Sequence, residues 1–256
     1  MSVQPHARPL SVDGGPYGVL VSHGFTGSPK SVRPWGQALA DAGYTVRVPR
    51  LPGHGTTWQE LSQTRWQDWY AEVDRALTEL RSRCDKVAVA GLSMGGCLAL
   101  RLAEQRPDDV DALVLVNPSV RSTDRRLLAL PLLRRVRATV PAIGNDILKL
   151  GVSEGAYDRT PLQPLHSLTH LWRDVAADLP RVVAPLLVLR SRVDHVVDPS
   201  SAALILSAVS SQVRRELLLE DSYHVATLDN DAPRIVEESL HFLAEHVVVA
   251  REVGRA

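Results

Sequence analysis

The chain has 256 residues, of which 45% are apolar and 23% are charged, a balance typical of one globular domain spanning residues 1–256. Basic and acidic residues number 29 each, so the formal net charge is zero, and the concentrated basic surface that nucleic acid requires is not expected. Residues 1–15 lack the apolar core of a signal peptide, and no apolar run is long enough to cross a bilayer, so we expect a cytoplasmic protein.

Short apolar runs alternate with longer helical patterns along the chain. This alternation predicts an α/β architecture, in which helices flank both faces of a mostly parallel central sheet. Most of the runs are continuously apolar, as strands buried on both faces tend to be. The predicted strands are residues 18–22, 45–48, 87–90, 113–116, 186–189 and 216–219. The predicted helices are residues 31–42, 66–81, 94–105, 200–210 and 232–246.

One segment interrupts this alternation. Residues 120–179 contain no clear strand, and four prolines at positions 131, 141, 161 and 164 interrupt the helical pattern. A long insertion between two sheet strands is uncommon without a function, so we predict a small cap over the strand ends. Its first part, residues 121–137, mixes leucines with six arginines. We favour an amphipathic cap helix with solvated arginines over a helix that lies on a membrane surface.

The strongest local signal is GLSMGG at residues 91–96, which matches the pattern G-x-S-x-G. A nucleophile elbow places its serine between a buried strand and a helix, so that the hydroxyl stands at a strained turn above the sheet. Ser93 has a predicted strand before it and a predicted helix after it. A second match surrounds Ser153, but no strand precedes it and prolines soon follow, so its glycines indicate a turn. We therefore predict Ser93 as the nucleophile.

A serine hydroxyl needs a base to take its proton during attack. In this arrangement an acid and then a histidine follow the serine in chain order, and His224 comes directly after the last predicted strand. The loop after the strand at 186–189 offers Asp194 and Asp198 as the acid. Because Asp198 precedes Pro199 at a predicted helix start, where a capping carboxylate belongs, we favour Asp194 as the residue that orients His224.

A developing oxyanion needs two backbone donors. One is expected from the residue after the nucleophile, here Met94, and the other from the loop after an earlier strand. The sequence HGFTG at residues 23–27 follows the strand at 18–22, which makes the Phe25 N–H the second candidate. The two glycines allow the backbone to approach closely, and we expect His23 to be structural.

The pattern contains no metal or cofactor motif. There is no H-E-x-x-H, no C-x-x-C pair, no P-loop and no G-x-G-x-x-G after a strand, and scattered histidines do not indicate a metal site. Of the two cysteines, Cys97 falls on a predicted helix, where it is expected to be a small core residue. No cofactor is expected.

Together these residues resemble the bacterial monoacylglycerol lipases and the related thermostable carboxylesterases, which have the α/β-hydrolase fold. The resemblance rests on five motifs in the same order and extends from about residue 15 to about residue 246. The motifs are HGFTG at 23–27, PRLPGHG at 49–55, GLSMGG at 91–96, DHVV at 194–197 and SYHVAT at 222–227.

The resemblance implies a triad of Ser93, Asp194 and His224, an oxyanion hole at Phe25 and Met94, and a small cap. It further implies that a cap isoleucine and a cap glutamate lie near the glycerol of the substrate, and Ile143 and Glu154 match those two positions. The implied activity is hydrolysis of monoacylglycerols or short-to-medium acyl esters. Transient contact with a lipid surface is a separate expectation, because zero net charge does not exclude local membrane contact. A thioesterase or acyltransferase with the same triad, and a ligand-binding protein without turnover, remain alternatives.

Overall fold

Seven strands form a single sheet in the computed structural model, which describes residues 3–248. The predicted domain limits at residues 1 and 256 lie outside these residues. The strands of the sheet are β1 (Leu10–Val12), β2 (Tyr17–Ser22), β3 (Thr45–Val48), β4 (Lys86–Leu92), β5 (Ala112–Val116), β8 (Leu186–Ser191) and β9 (Arg214–Leu219). Their order is β1-β3-β2-β4-β5-β8-β9, and all neighbours are parallel except β1, which pairs antiparallel with β3.

Helices cover both faces of this sheet. They are α1 (Arg33–Asp41), α2 (Trp58–Leu61), α3 (Trp66–Arg81), α4 (Met94–Gln105), α5 (Leu130–Val136), α6 (Leu162–Asp178), α7 (Ser200–Ala208) and α8 (Ala232–His246). Buried side chains of α3, α4, α6 and α7 form one core cluster, and those of α1 and α8 form another. The α/β-hydrolase fold predicted from the sequence is therefore confirmed. The six predicted strands and five predicted helices are all present, with small shifts at their ends.

The connection between β5 and α6 contains structure that the sequence pattern did not indicate. Two short strands, β6 (Thr139–Pro141) and β7 (Arg159–Pro161), pair antiparallel in a separate sheet. Helix α6 follows despite Pro164, because that proline lies in the first helical turn, where its missing N–H has no intrahelical partner. Helix α6 packs into the same core cluster as α3 and α4. We use the term cap segment for residues 120–161, which precede it.

The arginine-rich part of the cap segment differs from the expected amphipathic helix. It forms a 3-10 helix at Arg125–Ala129 and then the short helix α5. Its apolar side chains point in two directions. Leu127, Leu130 and Leu133 line the cavity described below, whereas Leu128, Leu132 and Val136 are 81%, 69% and 80% exposed. The segment therefore presents an apolar surface to solvent as well as to the interior.

The turn from β4 into α4 depends on close backbone packing. A Cβ atom on Gly95 would lie only 2.2 Å from the carbonyl oxygen of Ser22 at the end of β2, and one on Gly91 would lie 2.3 Å from the backbone of Gly95. Any larger residue would overlap with these atoms, since real Cβ contacts are not this short. The glycines therefore allow the start of α4 to sit against the ends of two neighbouring strands.

Candidate active site

Ser93 occupies the turn between β4 and α4 in a left-handed backbone conformation. Its φ is +56°, which is unfavourable for a residue with a side chain and is characteristic of strained functional turns. Its N–H donates to the carbonyl of Val116 at 3.0 Å. The side chain borders a cavity at the carboxyl ends of the parallel strands.

His224 and Asp194 meet at the same edge of the sheet. Asp194 follows β8 and His224 follows β9, and the His224 Nδ1 lies 2.8 Å from the Asp194 Oδ2. The other carboxylate oxygen of Asp194 accepts the N–H groups of Val196 and Val197, both at 2.8 Å. His224 is 7% exposed and lines the cavity together with Ser93.

Burial and pairing act in opposite directions on these two groups. Burial raises the pKa of the Asp194 carboxyl, but the charge and hydrogen bond of His224 and the two backbone N–H donors outweigh it and hold that pKa below its usual value. Burial lowers the pKa of His224, but the charge and hydrogen bond of Asp194, with further negative charge from Glu154 and Asp146, raise it above the usual value. The pair therefore favours an ionised carboxylate beside a basic imidazole.

The alternative candidates lie elsewhere and make local contacts. Asp198 accepts the N–H of Ser200 at 2.9 Å, at the start of α7, as expected for a capping carboxylate. Ser153 is exposed, and its hydroxyl accepts the N–H of Gly155 at 3.2 Å in a turn.

Two backbone N–H groups beside Ser93 are free of protein acceptors. Within residues 3–248, neither the Phe25 nor the Met94 N–H makes a hydrogen bond to another residue. The loop that carries Phe25 runs directly against the serine, since a Cβ atom on Gly24 would lie 3.3 Å from the Ser93 Cβ and 3.8 Å from its Oγ. Phe25 and Met94 also line the cavity. Such a pair of donors is suited to an oxyanion.

His23 connects the loop of Phe25 to the backbone of Leu51 through hydrogen bonds. It is fully buried, and its Nδ1 lies 2.9 Å from the Gly24 carbonyl oxygen, while the Leu51 N–H points to its Nε2 at 3.2 Å. Because the Leu51 N–H can only donate, Nε2 is the acceptor and Nδ1 carries the proton. Burial lowers the pKa of His23 to about 4, so the ring is neutral at ordinary pH. This arrangement accounts for the histidine in HGFTG as a structural residue.

The cavity has a volume of about 580 Å³ and is lined by both polar and apolar residues. Ser93, His224, Thr26 and Glu154 are among the polar ones, together with charged residues of the cap segment. Its apolar wall is formed mainly by residues of the 3-10 helix before α5, of α5 and of α6, namely Leu127, Leu130, Leu133, Leu162, Leu165, Leu168 and Trp172. This volume lies within the usual range for small-molecule sites. The apolar side chains of the wall are chemically suited to contact an acyl chain.

The two residues implied by the family resemblance lie in this cavity. Ile143 is 62% exposed and lies at the cavity wall, and Glu154 is 9% exposed. The Glu154 Oε1 accepts the Asn145 N–H at 3.1 Å, and a Cβ on Gly27 would lie 3.3 Å from its Oε2. Burial raises the pKa of Glu154 despite the Asn145 hydrogen bond and the nearby His224 charge.

Asn117 supports His224 and was not identified from the sequence. It follows β5 with a φ of +44°. Its Nδ2 donates to the His224 carbonyl oxygen at 2.8 Å and to the Ser191 Oγ at 2.9 Å, and its Oδ1 accepts the Ser191 N–H at 2.7 Å. An asparagine directly after a predicted strand was the available signal, because asparagine tolerates left-handed backbone better than most residues.

Between residues 3 and 248, no helix is long and apolar enough to cross a membrane. The same part of the chain contains no group of three or more histidine, cysteine, aspartate or glutamate side chains arranged to hold a metal ion.

The chain is similar to known hydrolases over most of its length. The family model described as serine aminopeptidase, S33, matches residues 17–231. The chain is 43% identical over 242 residues to the thermostable monoacylglycerol lipase of Bacillus sp. (strain H-257), covering 94% of this chain and 95% of that protein. It is 28% identical over 237 residues to the carboxylesterase of Bacillus subtilis (strain 168), covering 92% and 96% of the two chains.

A solved structure is similar over nearly the whole chain. It was described in work on two metagenome-derived lipolytic enzymes, and it superposes with a TM-score of 0.93 at 44% identity. The match covers 96% of this chain and 100% of that one.

We expect the buried His23 to make the free energy of unfolding depend on pH. Its pKa is depressed in the folded state from 6.5 to about 4, so the unfolded chain binds more protons between these values. The stability that the neutral ring provides is complete above about pH 6.5 and is lost as the pH falls towards about 4, by about 3 kcal/mol in all. We expect the difference in unfolding free energy between wild type and His23→Gln to shrink over this window, as measured by urea titration.

The exposed His170 on α6 provides the matched control for this experiment. His170→Gln replaces a histidine at an exposed position, so it is the reference against which the pH dependence of His23→Gln is compared. A difference between His23→Gln and wild type that stays constant with pH would contradict the predicted effect.

Proposed function

This chain belongs to the serine aminopeptidase S33 family and is an ester hydrolase, and from that premise we propose that it cleaves monoacylglycerols and short-to-medium acyl esters through an acyl-enzyme on Ser93. The main support is the convergence of three features on one cavity. These are a serine at a strained elbow, a buried histidine bonded to an aspartate, and two free backbone N–H groups beside the serine.

In the proposed reaction, the Ser93 Oγ attacks the ester carbonyl while the His224 Nε2 takes the hydroxyl proton. Asp194 keeps the proton of His224 on Nδ1 and stabilises the imidazolium. The Phe25 and Met94 N–H groups donate to the oxyanion. The C–O bond to the alcohol then breaks, and His224 returns the proton to the leaving oxygen. A water molecule, deprotonated by His224, releases the carboxylic acid and restores the Ser93 hydroxyl.

Substitution of the serine tests this proposal most directly. We expect Ser93→Ala to lower kcat on p-nitrophenyl butyrate by at least about 10³-fold, since the nucleophile is removed, while its urea unfolding midpoint stays close to that of wild type. Ser153→Ala is the matched control and should keep wild-type activity. A fluorophosphonate label found by mass spectrometry on Ser153 would refute the assignment, and release of no more than one product molecule per protein would refute turnover.

The choice of the acid is tested by two asparagine variants. Asp194→Asn should lower kcat by about 10³- to 10⁴-fold, because an amide at this position no longer holds the productive tautomer of His224. Asp198→Asn removes the same charge from the same loop but only affects the first turn of α7, so kcat should fall by less than about threefold. The reverse ranking of the two variants in steady-state assays would overturn the choice.

We further propose that Glu154 binds the hydroxyl groups of the glycerol. One of its oxygens accepts the Asn145 N–H, and the side chain lines the cavity close enough to His224 for their charges to interact. Hydrogen bonds to a charged group contribute about 1.5 to 3 kcal/mol, which corresponds to about a ten- to hundredfold effect on kcat/KM.

Glu154→Ala should therefore reduce kcat/KM for a glyceryl ester by about ten- to a hundredfold and for the methyl ester of the same acid by less than about threefold. Ser153→Ala, at the exposed neighbouring position, controls for general disturbance of this turn. Equal losses for glyceryl and methyl esters would show that Glu154 does not recognise the glycerol.

The exposed apolar face of the cap segment supports transient contact with a lipid surface. Leu128, Leu132 and Val136 recur at intervals of four residues and are all largely exposed, and arginines at 125, 126, 134 and 135 flank them. Apolar side chains bordered by basic residues are typical of segments that lie at a membrane interface. Such contact would bring the cavity close to substrates that reside in lipid aggregates.

Replacing Leu128, Leu132 and Val136 together by serine should weaken binding to anionic phospholipid vesicles by about ten- to a hundredfold, because three apolar contacts are lost. Hydrolysis of a water-soluble ester should remain unchanged. Val183→Ser is the control. This exposed valine precedes β8, so it lies near the amino-terminal ends of the strands, whereas the cavity lies at their carboxyl ends. Unchanged co-sedimentation of the triple variant with the vesicles would exclude this face as the contact.

A further inference from the structure

Two side chains hold the backbone of His224 from different parts of the fold. The His224 N–H donates to the Asp146 Oδ2 at 3.2 Å, and the His224 carbonyl oxygen accepts from the Asn117 Nδ2 at 2.8 Å. Asn117 belongs to the central sheet, at the end of β5, whereas Asp146 belongs to the cap segment. The orientation of the imidazole therefore depends on a cap residue outside the proposed triad.

The carboxylate of Asp146 also holds the loop that carries Asp194. Its Oδ2 accepts the His195 N–H at 3.1 Å, and its Oδ1 lies 2.8 Å from the His195 Nδ1. The Asp146 side chain is only 12% exposed. The largely buried carboxylate of Asp146 thus binds both His195, the residue after Asp194, and His224. It joins the two loops whose side chains form the hydrogen bond between Asp194 and His224.

Asp229, which follows His224 in the chain, binds the cap segment through hydrogen bonds. It is 1% exposed, and its carboxylate accepts the N–H groups of Leu148 at 2.6 Å, Lys149 at 2.9 Å and Tyr223 at 3.0 Å. The Val225 N–H in turn donates to the Asp146 carbonyl oxygen at 3.0 Å. These bonds fix residues 146–149 against the loop of His224, so Asp146 is held firmly in place.

We propose that Asp146 is a positioning residue, which keeps His224 and Asp194 in register and so makes the cap segment part of the catalytic apparatus. This inference rests on the proposed function, because Asp146 acts through His224 as the general base. A cap segment attached in this way does not open as a free lid at residues 146–149. Its cavity-lining residues, Ile143 and Glu154 among them, keep a set distance from the reacting groups.

The charge of Asp146 adds an effect that a purely structural residue would lack. Three carboxylates, those of Asp194, Glu154 and Asp146, raise the pKa of His224 against the effect of its burial. An asparagine at position 146 removes one of these charges and therefore lowers that pKa. Because the general base must be neutral, the acid limb of the kcat/KM profile should move to lower pH in this variant.

The experiment compares Asp146→Asn and Asp146→Ala with Asp158→Asn. Asp158 is exposed on the same cap segment, so its substitution removes an equal charge without touching the two loops. With a soluble short-chain ester, kcat should fall about tenfold in Asp146→Asn and about a hundredfold in Asp146→Ala, with KM nearly constant. The acid limb should move to lower pH in both Asp146 variants, because both lack the charge, and Asp158→Asn should behave as wild type.

Wild-type kcat and an unmoved acid limb in Asp146→Asn would overturn the proposal, and so would an equal loss in Asp158→Asn. If Asp146→Ala does not fold, as judged by urea unfolding, the asparagine variant decides on its own. Fluorophosphonate labelling of Ser93 separates this inference from the proposed function. A protein that is labelled at Ser93 and inactive as Ser93→Ala, yet indifferent to Asp146, would refute only the positioning role.

Discussion

The turn at Ser93 is the constraint on which the rest of this structure depends. A side chain at a φ of +56° is held there only because the surrounding backbone leaves no alternative. Glycines on both sides let α4 start directly against the end of β2, where a Cβ on Gly95 would overlap with the Ser22 carbonyl. The same close approach brings the loop of Phe25 against the serine. One packing requirement thus presents the hydroxyl and places beside it two N–H groups that have no acceptor among residues 3–248.

Around this turn the structure buries an unusual amount of negative charge. Asp194, Asp146, Asp229 and Glu154 all lie in or behind the site with little exposure. A buried carboxylate is costly unless hydrogen bonds replace its water, and each of these four accepts backbone N–H groups. Because the donors come from different loops, satisfying the charges also ties the loops together. The electric field that raises the pKa of His224 and the rigidity of its loop have the same origin.

The cap segment combines two kinds of contact. Residues 146–149 are bound to the histidine loop by hydrogen bonds, whereas α5 contributes leucines to the cavity wall and exposes other apolar side chains to solvent. The hydrogen bonds suit a fixed wall near the reacting atoms. The apolar side chains of α5 suit a surface that contacts apolar molecules. Specificity for the alcohol and access for the acyl chain can therefore be altered by different residues.

Local patterns in the sequence determined six of the seven strands of the sheet, five of the helices and the turn at Ser93, because strand burial, helix periodicity and the glycines around Ser93 are all encoded within a few neighbouring residues. Chain order then indicated Asp194 and His224, and the structure brings these two side chains together. Short strands β6 and β7 escaped prediction because three residues carry no periodicity, and α6 escaped because its prolines lie in or just before its first turn. The contacts of Asn117 and Asp146 with His224 were decided by the tertiary structure alone. Their hydrogen bonds to His224 join residues 107 and 78 positions apart, and no local pattern records such a separation.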